Sequence, residues 1–389
     1  MNNNYRDFVL YAACYMTSLS YGGVYVLLDY TQVALSGNPM MFGKFLTISG
    51  IVTILLVGYS GRLAKSYQAN IVAGIGSILC GVGMFGLSFI NEVNYIYYIA
   101  AFFIGLGWSF YYASSPMIVL SPTISEEDKG KYVSLISVCV VLGTSSLPIL
   151  HNITSSTIEF RSLFIFSGLM AFIGGISFIY VGILFKLKPS KSTCENIGNN
   201  YRPWRTEAMY PFAMVFLGAC VFSTMMAFQT SYASERGLSY AVFFAAYSLS
   251  VIFSRILFGG VLTKNNPINN LTKILLVMLA GLVLMIINSG YTVIYIISSM
   301  LIGISYGLAY PLIKTYSIKV SKPEDRHQVL AFFTLSYFTG VYFFPIVASG
   351  LLVNFSSNAY LIALISIVAC YMLISISRQK FAKNYFNGV

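Results

Sequence analysis

The chain of 389 residues is 57% hydrophobic and only 9% charged, with a formal net charge of +11 and a mean hydropathy of +0.76. Water-soluble domains carry about 25% charged residues, so a soluble globule is excluded. Disordered and disulfide-framework classes fall as well, because the apolar content is high and six cysteines in this length form no dense pattern. A polytopic membrane protein remains.

A helical span needs roughly 20 predominantly apolar residues to bridge about 30 Å of hydrocarbon. Twelve such stretches follow in order: 7–30, 41–60, 69–90, 94–118, 132–152, 160–186, 208–233, 241–262, 270–290, 293–318, 328–352 and 357–377. The runs are continuous rather than alternating, which predicts helices and not barrel strands. The first apolar run, Phe8 to Leu28, is longer than the core of a signal peptide and has no small-residue cleavage site after it, so it is expected to stay as a span. Only a short turn around Ser289-Gly290-Tyr291 divides the ninth span from the tenth. The polar stretch 187–207, with Pro189 and Pro203, reads as a cytoplasmic tether between two bundles, 1–186 and 208–389.

With the amino terminus in the cytoplasm, twenty of the 23 Lys and Arg residues fall on the inner side, leaving Lys44, Arg161 and Arg236 outside. This asymmetry predicts a cell-membrane protein with both termini cytoplasmic. Those charges are spread over short loops, so no nucleic-acid partner is expected. Cysteines 14, 80, 139, 220 and 370 lie in spans and form no C-x-x-C pair, which suits packing. His151 and His327 stand at span ends without a second ligand at useful spacing. No metal site and no cofactor is assigned.

The sequence repeats itself at half its length. Phe103-Ile104-Gly105, Glu127-Asp128-Lys129, Gly143 and Pro148-Ile149 are answered by Leu301-Ile302-Gly303, Glu324-Asp325-Arg326, Gly340 and Pro345-Ile346. The offset is 198 at the first anchor and 197 at the others. A repeat of six helices keeps its orientation, so the halves are expected to be related by an axis along the membrane normal.

These anchors, together with Gly61-Arg62-Leu63-Ala64-Lys65 after the second span and Arg255-Ile256-Leu257-Phe258-Gly259-Gly260 at the end of the eighth, resemble the major facilitator superfamily of transporters over essentially the full chain. Ser234-Glu235-Arg236-Gly237-Leu238-Ser239 is similar to a loop of efflux-type members, including arabinose-efflux-like and siderophore-exporting branches. The chain departs from the family pattern in places. The superfamily loop G-x-x-x-D-R-x-G-R-R has Asp where this sequence has Lys65, and the symmetric copy has Thr263. Ala101 stands where the fourth span usually has Arg, and Leu147 replaces the second Gly of the antiporter pattern G-x-x-x-G-P. The resemblance implies an all-α membrane protein of twelve transmembrane helices in two pseudo-symmetric six-helix bundles. It also implies that Gly61, Arg62, Lys65, Asp128 and Asp325 belong to loops gating the cytoplasmic side.

In the superfamily the substrate cavity is lined by spans 1, 4, 7 and 10. The residues these spans supply here are Tyr21 and Tyr25, then Trp108, Tyr111, Tyr112 and Ser115, then Gln229, then Tyr306 and Tyr310. Such groups suit a mid-sized organic molecule held by stacking and a few hydrogen bonds. Of twelve acids, Asp29 is the one inside a predicted span, and it is the candidate proton-coupling carboxylate. Arg255 and Lys314 are the embedded cations, which either snorkel to the inner headgroups or contact an anionic substrate.

The sequence thus predicts a monomeric secondary active transporter whose partners are a small-molecule substrate, protons and the lipid bilayer. Export of a drug-like compound or a siderophore in exchange for protons is the leading expectation. Proton-coupled uptake by the same fold, or a non-transporting receptor or assembly factor, are the alternatives. No G-x-x-x-x-G-K-[ST] loop is present, and no nucleophile, base and orienting acid converge, so enzymatic activity is not expected.

Overall fold

A computed structural model describes residues 3–35, 38–119, 126–154, 158–185, 206–264, 267–321 and 325–386. Of the tether at 187–207, only Thr206 and Glu207 are among the described residues. The chain divides into two compact units, Met1–Glu195 and Asn196–Val389. The first holds α1 (Asn3–Gly22), α2 (Pro39–Ser66), α3 (Ala69–Leu87), α4 (Tyr95–Ile118), α5 (Glu126–Thr154) and α6 (Phe160–Leu184). The second holds α7 (Met209–Ala227), α8 (Tyr240–Lys264), α9 (Pro267–Ile287), α10 (Thr292–Lys319), α11 (Arg326–Asn354) and α12 (Ser357–Phe386).

Local chemistry sets several helix ends. Asn38 caps α2 by accepting from the Met41 N–H at 3.2 Å, with Pro39 preset for the first helical position. Asn94 caps α4 through the Ile96 N–H at 2.9 Å. The turn between α9 and α10 closes on the Asn288 side chain, which accepts from the N–H groups of Gly290 and Tyr291. Gly290 there adopts φ +113°, open mainly to a residue without a Cβ.

Eleven of these helices contain a stretch long and apolar enough to cross a membrane. α1, whose first turns include Asn3, Asn4, Arg6 and Asp7, falls short by its own composition. Large apolar side chains such as Leu55, Ile183 and Leu373 are exposed, as expected of helices solvated by hydrocarbon.

The two units are built alike. In the first, α4 packs against α2 and α3, α6 against α1 and α3, and α5 against α1; in the second, α10 packs against α8 and α9, α12 against α7 and α9, and α11 against α7. Adding six to each helix number converts one scheme into the other. The correspondence reaches single contacts at the 198-residue offset. The hydroxyls of Thr31 and Tyr97 lie 2.8 Å apart, and Tyr295 donates to the Gln229 side-chain oxygen at 2.8 Å. A Cβ on Gly105 would overlap the Ser49 carbonyl, and one on Gly303 would stand 2.6 Å from the Tyr247 carbonyl oxygen. Backbones approach this closely only where a side chain is missing.

Three expectations from the sequence need correction. The first span is not one helix: α1 stops at Gly22, and a 3₁₀ turn (Gly23–Val26), a short α-turn (Leu27–Asp29) and a π-turn (Tyr30–Ala34) follow. Gly22 is pressed on the Thr144 carbonyl, 2.6 Å from where its Cβ would be, and Pro148 removes the amide that this carbonyl would normally receive. The seventh span likewise breaks at Phe228 before resuming over Gln229–Glu235. Finally, Gly61, Arg62 and Lys65 form the last turns of α2 rather than a loop, and Asp128 lies in the first turn of α5.

Candidate functional site

In the first unit the aromatic candidates meet. Tyr21 and Trp108 are stacked, with centroids 3.7 Å apart and planes 18° from parallel. Tyr25 meets Tyr21 edge-on at 6.2 Å, and Tyr111 and Tyr112 lie 5.2 and 6.0 Å from Trp108. Helical spacing on α4 explains the group, since positions 108, 111 and 112 share a face. Tyr25 and Tyr112 are half-buried at its edge. Tyr111 is fully buried, its hydroxyl held by the Ser18 hydroxyl at 3.0 Å and the Cys14 carbonyl at 3.3 Å. Ser115 is also buried.

The second unit carries aromatic counterparts of Trp108 and Tyr112 at the offset of 198, whereas Tyr21, Tyr25 and Tyr111 face Ala219, Ser223 and Ala309. Tyr306, the counterpart of Trp108, stacks on Phe222 at 4.4 Å and 11°. Its hydroxyl lies 3.0 Å from that of Tyr337, whose ring meets Tyr310, the counterpart of Tyr112, at 5.3 Å. Gln229 stands apart from these rings in its bond to Tyr295, and its amide nitrogen is buried without a hydrogen-bond partner.

Asp29 stands at the junction of the short α-turn and the π-turn, with its side chain 29% exposed. Its carboxylate oxygen lies 4.0 Å from Nδ1 of the buried His151 on α5. The His151 ring rests on Phe160 at 4.6 Å. Sequence reading missed His151 as a partner because 122 residues separate it from Asp29 and no local spacing links them.

The two embedded cations part company. Arg255 donates its Nε–H to the Gly307 carbonyl at 3.0 Å, joining α8 to α10. Lys314 is exposed on α10. Among the gate residues Arg62 is exposed, Gly61 and Asp325 are half-buried, and Asp325 immediately precedes α11. The side chains of Lys65 and Asp128 lie outside the described residues.

At the end of the second unit that carries Gln229–Glu235, Arg236 fastens three segments. It donates to the Asn288 carbonyl at 3.0 Å, Ser357 at 2.8 Å, Asn358 at 2.6 Å and Glu235 at 3.3 Å, and its guanidinium lies 4.1 Å from the Tyr232 ring centroid.

A family model described as the Major Facilitator Superfamily matches residues 8–288. The chain belongs to the Major Facilitator Superfamily. It is a multi-pass membrane protein with the fold of that superfamily's transporters. Among solved structures it is similar to a point variant of the nucleoside transporter NupG, with a TM-score of 0.75 and 12% identity over 96% of this chain and 100% of the other. It is also similar to a peptide transporter POT in complex with sulfate, with a TM-score of 0.77 and 15% identity over 97% and 94%. A POT family transporter in complex with 5-aminolevulinic acid aligns with a TM-score of 0.73 and 15% identity over 97% and 96%. No curated protein matches the sequence. Identities this low carry the fold of the superfamily and leave the substrate to be argued from this chain's own residues.

Proposed function

We propose that this protein is a secondary active transporter of the cell membrane that exports a small organic molecule, a drug-like compound or a siderophore, in exchange for protons by alternating access. Both termini are cytoplasmic in this reading, and Asp29 is the proton carrier at the outer end of the first span. The observations that carry it are a partly exposed carboxylate in an interrupted span and, within each unit, an aromatic group built on Trp108 or on Tyr306. A carboxylate in a partly dry place is suited to alternate between loaded and empty forms. Stacked rings with half-buried tyrosines at their edge suit a planar organic solute. The similarity of Ser234 to Ser239 with efflux-type loops supports the outward direction. Arg255 gives one of its five N–H donors to a backbone carbonyl, and Arg255 and Lys314 remain the candidate contacts for an anionic substrate.

A second reading, proton-driven uptake of a polar metabolite, draws on the POT family transporters of similar fold in complex with a thioalcohol-conjugated peptide and with 5-aminolevulinic acid. Reconstituted vesicles separate the two. With the lumen acidic, an exchanger accumulates ethidium as protons leave; with the exterior acidic, a symporter accumulates 5-aminolevulinic acid. Asp29→Asn is expected to lose gradient-driven accumulation, and unchanged accumulation would overturn its assignment.

A further inference from the structure

We infer that His151 is the second member of the proton site and that Asp29 and His151 take up and release one proton as a coupled pair. The inference rests on the proton-coupled reading above and adds a residue that no motif assigns.

The geometry is that of two groups that sense each other's charge. At 4.0 Å the Asp29 oxygen and His151 Nδ1 are too far apart for a direct hydrogen bond, yet within the range at which an opposite charge alters protonation. His151 is buried and rests on Phe160, so its ring is fixed, whereas Asp29 is 29% exposed and gives protons a way in. The backbone around Asp29 leaves α-helical geometry on both sides, and π-turns inside helices are concentrated at functional sites.

The repeat supplies the decisive comparison. Where the first unit has Asp29, the second has Ala227 at offset 198; where it has His151, the second has Ala348 at offset 197. Both alanines are buried. Some positions keep their chemistry across the repeat, as at Thr31 and Gln229, Trp108 and Tyr306, or Tyr112 and Tyr310, whereas Tyr21 and Tyr111 face Ala219 and Ala309. The second unit closes this corner with two small apolar residues, so the shared architecture does not itself require an acid and an imidazole there.

At the ends of the surrounding elements nearest this corner in the chain the charged residues are Lys44 on α2, Glu92 between α3 and α4, and Glu159 and Arg161 at the start of α6, all four exposed; Arg62 and Lys65 on α2 and the charged residues 126–131 on α5 lie at the opposite ends of their helices. Arg161 leans over the Phe89 ring at 5.8 Å. The nearby tyrosine hydroxyls are committed, Tyr30 to the carbonyls of Leu87 and Ile90 and Tyr97 to Thr31. The proton balance is simple. An anionic carboxylate beside a neutral imidazole carries −1, and one proton from water on either group brings the pair to zero. The neutral form is the one that is cheaper to enclose in a dry setting.

The chain has only two histidines, which makes the pair directly observable. Protein labelled with 15N-histidine in lipid nanodiscs is titrated by NMR, with His327→Gln assigning the two signals. Asp29→Asn is expected to displace the His151 titration midpoint by about one pH unit or more while leaving His327 unmoved. In a second variant, His151→Gln, the carboxyl infrared band that Asp29→Asn removes is expected to titrate at a displaced pH. Midpoints unchanged in both variants overturn the pair, even if transport proves proton-driven. Displaced midpoints support it whatever the transport assay returns.

Discussion

Arg255 fills a gap that Pro311 opens. The Gly307 carbonyl on α10 would normally receive the N–H of residue 311, and proline has none, so the Arg255 Nε–H at 3.0 Å takes the vacant position. A cation inside an apolar span is thereby employed in completing a neighbouring helix.

This predicts effects of different size in two backgrounds. Arg255→Ala should destabilise the protein by about 1–3 kcal/mol by leaving a buried carbonyl without a donor. In a Pro311→Ala background, where the amide returns, the same change should cost about 1 kcal/mol less. A double-mutant cycle of thermal unfolding in detergent reads the difference, and additive effects would refute the relationship.

The stacked pair of Tyr21 and Trp108 should report on substrate affinity. Trp108→Ala is expected to weaken apparent affinity about tenfold, corresponding to ~1.4 kcal/mol, and Trp108→Phe to weaken it less. Concentration dependence of transport in vesicles checks the order. Equal affinities in wild type and both variants would remove Trp108 from the site.

Where α10 crosses α8, Gly303 leaves 2.6 Å between an added Cβ and the Tyr247 carbonyl oxygen. Gly303→Val should therefore lower stability by about 1–3 kcal/mol through overpacking. Gly58, with open space around its Cβ position, is the control: Gly58→Val should leave the melting temperature within a degree or two on the same scale.

Arg236 uses a flat fork of donors and stacks on a ring, two properties lysine lacks. Arg236→Lys should lower the melting temperature nearly as much as Arg236→Ala. Differential scanning fluorimetry of purified protein decides; full retention of stability by the lysine variant would contradict the geometry.

Much of this architecture was legible because hydrocarbon demands it. Long apolar runs marked the spans, and the anchors from Gly105 to Pro345 exposed the repeat, since close helix crossings leave glycines behind. The break after Gly22 was invisible because a change of helical pitch does not alter hydropathy. Arg255 could be recognised as embedded, but its acceptor is a backbone carbonyl and leaves no mark on composition. Tyr21 and Trp108 were named individually, whereas their stacking depends on the crossing of α1 and α4. Tyr337, one of 30 tyrosines, had no distinguishing signal. His151 was passed over because a partner was sought nearby along the chain.

At the 198-residue offset segment 23–34 answers 221–232, and the two copies are wound and tied differently. Just beyond the second copy the Arg236 guanidinium makes four hydrogen bonds; the first copy changes its winding three times in twelve residues and carries Asp29. Duplication has thus left one copy cross-tied to its neighbours and the other unevenly wound.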